Sequence, residues 1–294
     1  MNIFATVIEV VAPVFLLAAI GFVWVKAGFE YRLEFVTKLS MTLAVPVLIF
    51  VSLMETKIEA SSLSSLMFAS IAAYGVLTLV VWGGVKLLKK ETSVLVAPIV
   101  FGNTGNMGLP LAYFAFGDVG LSYAVIVFAV MAIWSFTFGV WLVSGGGSVV
   151  KAIKEPMVGA TLLGALFLWQ GWETPSFLTN SLRLIGQMAI PLMLITLGVA
   201  VARLAPNRLG IAFGISVVKL AICVAIAWII GKLFALDPIA FAVLVVQVAT
   251  PVAVTSYLVA AKYGRDADNI AGLVVASTLL SVGYLPVLLA VLLP

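Results

Sequence analysis

The sequence predicts an all-α polytopic membrane protein of ten transmembrane helices in two inverted five-helix repeats, with the fourth and ninth helices broken. Three observations predict this. Of 294 residues, 64% are hydrophobic and only 10% charged, with a mean hydropathy of +1.25, far from the composition of soluble domains. Apolar runs near the ~20 residues that span a hydrocarbon core as a helix recur ten times. Lysine and arginine alternate from one side to the other along those runs.

The spans lie near 4–25, 35–54, 64–85, 94–116, 121–143, 156–172, 184–202, 209–231, 238–261 and 270–293, joined by short loops. The first lacks a basic leader and a small-residue cleavage pattern, so it reads as a retained helix and not a signal peptide. The sixth, "PMVGATLLGALFLWQGW", is the weakest, being short and glycine-containing. Loops after odd-numbered spans hold Lys26, Arg32, Lys38, Lys86, Lys89, Lys90, Lys151, Lys154, Arg203, Arg208, Lys262 and Arg265; those after even-numbered spans hold only Lys57, Arg183 and Lys232. Basic residues favour the cytoplasmic side, so both termini are expected outside the cytoplasm.

A five-helix unit repeated in tandem enters the membrane from opposite sides, the inverted repeat of secondary transporters. Residues 1–150 form one unit and 151–294 the other, with "SGGGS" at 144–148 as the hinge. Pro46 in "LAVPVLI" answers Pro191 in "MAIPLML", and Pro110 of span four answers Pro251 of span nine. Proline kinks many membrane helices, and Pro46 and Pro191 are read as kinks only.

Spans four and nine differ. "GNTGNMGLP" places Gly102, Gly105, Gly108 and Pro110 among Asn103, Thr104 and Asn106, while "QVATPVAVTSY" places Pro251 after Gln247 and Thr250. Such segments do not easily keep an unbroken backbone ladder. Polar groups in lipid must face protein, water or a passing solute, and the free N–H and C=O ends of a broken helix can serve an anion or a cation. The expected substrate-binding groups are therefore Asn103, Thr104, Asn106, Gln247 and Thr250, with weaker candidates in Thr255 and Ser256. Lys219 joins them as the sole basic residue well inside a span, placed either to neutralise an anionic substrate or to pin broken-helix carbonyls.

Other chemistry is poorly provided for. The chain has no histidine and one cysteine, Cys223, which leaves no internal disulfide and almost no zinc ligands. No catalytic constellation meets acid–base or nucleophilic geometry, so no enzyme, catalytic residue or metal site is expected. The glycine cluster has no Walker lysine and is not a phosphate loop. The +4 formal charge is scattered and forms no nucleic-acid stripe. No Asp or Glu lies mid-span, which disfavours a central proton relay. A sodium coupling ion held by carbonyls, Asn, Gln and Thr stays chemically open, and no other cofactor is expected. Trp24, Trp82, Trp141 and Trp172 lie towards span ends as interfacial anchors.

The pieces "LAVPVLIF", "PIVFGNTGNMGLPL", "MAIPLMLITLG" and "YLVAAKYGRDADNIAGLVVASTLLS" resemble the auxin efflux carrier family, plant PIN-type carriers and bacterial malonate- or malate-type permeases included, over essentially the whole chain. The resemblance implies a fold related to bile-acid symporters. Helices four and nine would cross at Pro110 and Pro251 with substrate beside the crossing. A mobile domain would slide as an elevator against a scaffold of helices one, two, six and seven, which supports homodimers in plant relatives. The carboxylate-contacting asparagine of the family maps to Asn106, with Asn103 second. Val252 and Ala253 follow Pro251 with no asparagine nearby, which sets auxin aside. The expected function is secondary transport of small mono- or dicarboxylates across the plasma membrane, the inner membrane of a bacterium; the alternative is an anion channel or uniporter-like facilitator.

Overall fold

The computed structural model describes residues 3–145, 156–204 and 209–293, and within them every regular element is a helix. The elements follow in order: α1 (Ile3–Lys26), α2 (Leu33–Leu39), α3 (Val45–Glu55), α4 (Ala60–Leu87), α5 (Thr92–Val100), α6 (Leu109–Trp134), α7 (Val140–Ser144), α8 (Pro156–Gln170), α9 (Ser176–Gln187), α10 (Ala189–Arg203), α11 (Leu209–Leu233), α12 (Pro238–Ala249), α13 (Val254–Lys262) and α14 (Ala267–Leu292). Counting joined helices together, seven are long and apolar enough to cross a membrane: Ala5–Lys26, Leu33–Met54, Ala60–Leu87, Thr104–Ser144, Ser176–Arg203, Leu209–Leu233 and Ala267–Leu292. Pro156–Gln170 and Pro238–Ala249 are apolar but shorter. The hinge glycines from 146 on, the unit boundary at 150/151, and Lys151, Lys154 and Arg208 lie outside the described residues.

Wide π-turns join several helices. Ser40–Ala44 links α2 to α3, Thr104–Gly108 leads into α6, and Ser135–Gly139 links α6 to α7. The first two end immediately before the dipeptides Val45–Pro46 and Leu109–Pro110. Proline lacks an N–H, and its ring crowds the carbonyl one turn back. A π-turn widens that spot and lets the chain continue. Pro46 thus sits in a continuing helical path, as a kink-only proline should.

Within α6, Gly117 leaves the helical region with φ 62° and ψ −150°. A Cβ added at Gly120 would lie 2.4 Å from the carbonyl oxygen of Ala112. Residues eight apart in a straight helix are ~12 Å apart along the axis, so the chain reverses here. The expected boundary between spans four and five, at 117–120, falls on this glycine. Most of helix α9 was not expected: the expected seventh span begins at 184, whereas α9 starts at Ser176 and is interrupted from α10 only at Met188.

Two tight pairings organise one side of the molecule. Helix α1 packs along α10, and α3 packs along α8 and α9. A Cβ on Gly198 would stand 1.7 Å from the Ala18 carbonyl oxygen, and one on Gly21 would stand 2.0 Å from that of Ile195. Only glycine allows this backbone-on-backbone approach, the usual route to close packing where lipid supplies no hydrophobic drive. Helices α4, α6, α11, α12 and α14 pack with one another and bring their buried faces around the two interruptions that form the candidate site.

Candidate functional site

The polar stretches near residues 103 and 250 are where helices stop. Helix α5 ends at Val100, and Phe101–Asn103 are non-helical before the π-turn Thr104–Gly108. Helix α12 ends at Ala249, and Thr250–Ala253 are non-helical before α13. The break near Pro251 lies where the sequence put it. That near Pro110 does not: the chain opens at Phe101–Asn103, and Pro110 is the second residue of the continuing helix α6. The cause is the π-turn, which absorbs the proline, while the lack of a side chain at Gly102 lets the segment upstream approach Thr250.

The two interruptions meet. Gly102 and Val252 form an antiparallel bridge, and the Asn103 N–H donates to the Pro251 carbonyl at 2.7 Å. Two glycines make the approach possible. A Cβ on Gly102 would stand 2.3 Å from Thr250 Oγ1, and one on Gly108 would stand 2.2 Å from Gln247 Oε1. Gly105 faces the Phe128 ring at 3.1 Å by the same measure.

The carbonyl end of α12 is capped group by group. Thr250 donates to the Gln247 carbonyl through its N–H at 3.3 Å and its hydroxyl at 2.7 Å. The Tyr284 hydroxyl donates to Ala249 O at 2.6 Å. Lys219 Nζ donates to Thr250 O at 2.7 Å, with Cys223 Sγ at 3.9 Å. Past the break, the Val252 N–H donates to Ser277 Oγ at 2.9 Å. Of the two roles open to Lys219, the geometry places it on the broken-helix carbonyl. It is 2% exposed. The ion pairs among the described residues are Arg32–Glu30 and Arg183–Glu55, both away from it.

Other polar atoms here lack partners. Asn103 Nδ2, Thr104 Oγ1 and both amide atoms of Gln247 are buried without a hydrogen bond. Leaving such a group unpaired costs about 1–3 kcal/mol, so the cluster is not explained by folding alone. Asn106 differs in being half-buried and lining a cavity of about 30 Å³ with Thr37, Ser40, Thr196, Val254 and Thr255. Asn106 and Thr255 both lie in the first turn after a break, where N–H groups lack intrahelical partners.

A much larger cavity, about 740 Å³, opens at another face, lined by Ser52, Glu55, Lys57, Asp118, Arg183 and Gln187 among others. Arg183 pairs with Glu55 at 2.6 Å at its rim. Beside the small cavity, Tyr31 and its lining residue Thr196 share a hydroxyl–hydroxyl bond of 2.8 Å, and the Arg203 guanidinium donates to the Tyr31 carbonyl.

Sequence reasoning passed over Ser277 and Tyr284, which hold the break from α14, and Thr37, Ser40 and Thr196, which line the small cavity. A signal existed for the first pair. Ser277, Ser281 and Tyr284 follow helical spacing in an apolar span, a polar stripe on one face.

A family model described as a membrane transport protein matches residues 6–148 and again 140–289, so that each half with its own broken segment is matched once. The chain belongs to this membrane transport protein family. That is the auxin-efflux-carrier group the sequence resembles, and the protein is a transporter and not an enzyme. Two archaeal relatives agree. An uncharacterized transporter of Methanothermobacter thermautotrophicus is 27% identical over 293 residues, covering 95% of this chain and 96% of the relative. An uncharacterized transporter of Methanocaldococcus jannaschii is 27% identical over 210 residues, 67% of each chain.

Proposed function

We propose that the protein is a secondary transporter of small organic anions, mono- or dicarboxylates, working by elevator-type alternating access at the crossing of helices four and nine. The observation that carries the reading is the mutual capping of two interrupted helices, with helix starts after both breaks lining one small cavity at Asn106 and Thr255. Helix N-termini favour anions. The unpaired amides of Asn103 and Gln247, buried beside the breaks, would become donors for a carboxylate only as the helices part.

In this reading the chain has ten spans in two inverted repeats. The long Thr104–Ser144 stretch divides at Gly117, α5 joins its first part as broken span four, α8 is span six, and α12 with α13 is broken span nine. The side-to-side bookkeeping supports it. The 740 Å³ cavity gathers Lys57, Asp118 and Arg183, which belong to the connections after spans two, four and six. On the other side, Arg203 reaches Tyr31 and Arg265 reaches the Val143 carbonyl at 2.8 Å; these belong to odd-numbered connections. The first face would be non-cytoplasmic, with both termini on it, in the plasma membrane.

Spans one, two, six and seven would form the scaffold, held by the α1–α10 and α3–α8 contacts, and the scaffold would offer a homodimer face. The conformation described would be open to the Arg183 side and shut by Tyr31, Thr196 and Arg203 on the other. A 30 Å³ cavity admits about one water, so a carboxylate needs the helices to part before it binds Asn106.

The experiment is uptake of labelled malonate, malate and monocarboxylates into proteoliposomes, with sodium and pH gradients imposed separately. Saturable uptake inhibited by unlabelled carboxylate is expected. Unit conductances without saturation would instead make the protein a channel, and no flux above empty liposomes would remove the anion assignment.

A further inference from the structure

Transporters with broken helices commonly bind a coupling cation at the carbonyl end of a half-helix, where the peptide dipoles concentrate about half a negative charge. Here that end is α12, with the carbonyls of Gln247, Ala249 and the capping residue Thr250. A free cation site would need several such oxygens left open. Each of those three instead already accepts a hydrogen bond, from Thr250, Tyr284 and Lys219 in turn.

We propose that the Lys219 ammonium is a resident cation, fixed by the chain at the half-helix end where a coupling sodium would otherwise be held. The placement has the required features. Nζ lies 2.7 Å from Thr250 O, and the side chain is buried at 2% exposure. Among the described residues, carbonyl dipoles and not a carboxylate compensate it, as for a metal ion in a carbonyl cage. Burial of a basic group without such compensation would be strongly unfavourable. Lys219 reaches the position from α11, one helix turn before Cys223, so the charge is bonded to the chain and cannot dissociate during a transport cycle. Sodium then has no place at this end of α12, and anion movement is not driven by sodium through it.

The inference rests on the transporter reading only for its flux measurement; cation binding itself is read without any substrate. Thermal unfolding of the purified protein in lipid or detergent would be followed in sodium, potassium or choline chloride at matched ionic strength. A cation that binds the folded state raises the midpoint with its concentration. For the wild type, no sodium-specific rise is expected. Lys219→Ser, which leaves a hydroxyl and space beside Thr250 O, is expected to unfold earlier in choline and to recover part of the loss in sodium. Lys219→Arg keeps the charge and is expected to stay indifferent to the cation. Should Lys219→Ser fail to fold in any salt, the wild type and Lys219→Arg decide.

A sodium-specific rise in the wild type would overturn the proposal. So would Lys219→Ser unfolding like the wild type in choline, or a folded Lys219→Ser that no cation stabilises. In the flux arm, labelled malonate uptake by the wild type is expected to be the same with and without a sodium gradient, and acceleration by inward sodium would contradict it. Absence of all carboxylate flux would count against the substrate assignment and leave the thermal result standing.

Discussion

The backbone N–H of Asn103 donates to the carbonyl of Pro251 at 2.7 Å, so two helix interruptions from opposite halves of the chain cap each other. Neither end is left to find water. The Gly102–Val252 bridge beside that bond needs a residue without a side chain at position 102, and the first prediction follows from it.

Gly102→Ala would drive a methyl against Thr250 Oγ1 and, at 2.9 Å, against the Thr250 carbonyl. Overpacking of this kind costs about 1–3 kcal/mol. A lowered unfolding midpoint is expected, partly restored in the Gly102→Ala/Thr250→Ala double variant, because the side-chain clash goes and the backbone one stays. Strict additivity of the two substitutions would show that the residues do not touch.

Removing a cap should cost stability without touching the cavity. Tyr284→Phe deletes the donor to Ala249 O and leaves a buried carbonyl unpaired, a loss of about 1–3 kcal/mol. Thermal unfolding checks this, and carboxylate affinity of the folded variant should stay near the wild-type value.

Gly198→Val tests the scaffold. Its new side chain would meet the Ala18 backbone, which cannot move aside as a flexible side chain would. A marked loss of folded protein is expected, measured as the monodisperse yield from solubilised membranes. Normal yield would mean that α1 and α10 part freely.

Topology has its own test. With both termini non-cytoplasmic, a C-terminal alkaline phosphatase fusion should be active and the matching green fluorescent fusion dark. The reverse pattern would mean an odd number of crossings or the opposite orientation.

Much of this arrangement was legible in the sequence because membrane helices announce themselves by length and hydropathy, and because glycine, proline and asparagine together have few places to go in lipid. Gly117 and Pro251 fell where the pattern put a turn and a break. The break before Pro110 was placed too late, since a π-turn over Thr104–Gly108 carries the proline and the true opening lies at Gly102. Proline marks a strained place without saying which neighbour yields.

Most of helix α9 was missed because Ser176–Gln187 is polar and largely exposed, although its apolar residues at 177, 178, 182, 184 and 185 carry a helical spacing. For Lys219 the sequence offered a broken-helix carbonyl as one of two roles, but neither the choice between them nor which carbonyl it meets could be read. Each residue turns ~100° around a helix axis, and only the packing of α11 against α12 and α14 decides that Nζ meets Thr250 O. The separation of Asn106, which lines a cavity, from Asn103, whose amide is shut away, is likewise set by packing and not by their spacing.

That separation supplies the most direct test of the central claim, that small carboxylates bind beside the two breaks at Asn106. Hydrogen bonds to charged partners contribute about 1.5–3 kcal/mol, or roughly ten- to hundredfold in affinity. Calorimetric titration of whichever carboxylate the wild type transports, on folded wild type, Asn106→Ala and Asn103→Ala, is predicted to show that loss at Asn106 and a smaller one at Asn103. Unchanged affinity in well-folded Asn106→Ala would contradict the account and move the binding site elsewhere in the protein.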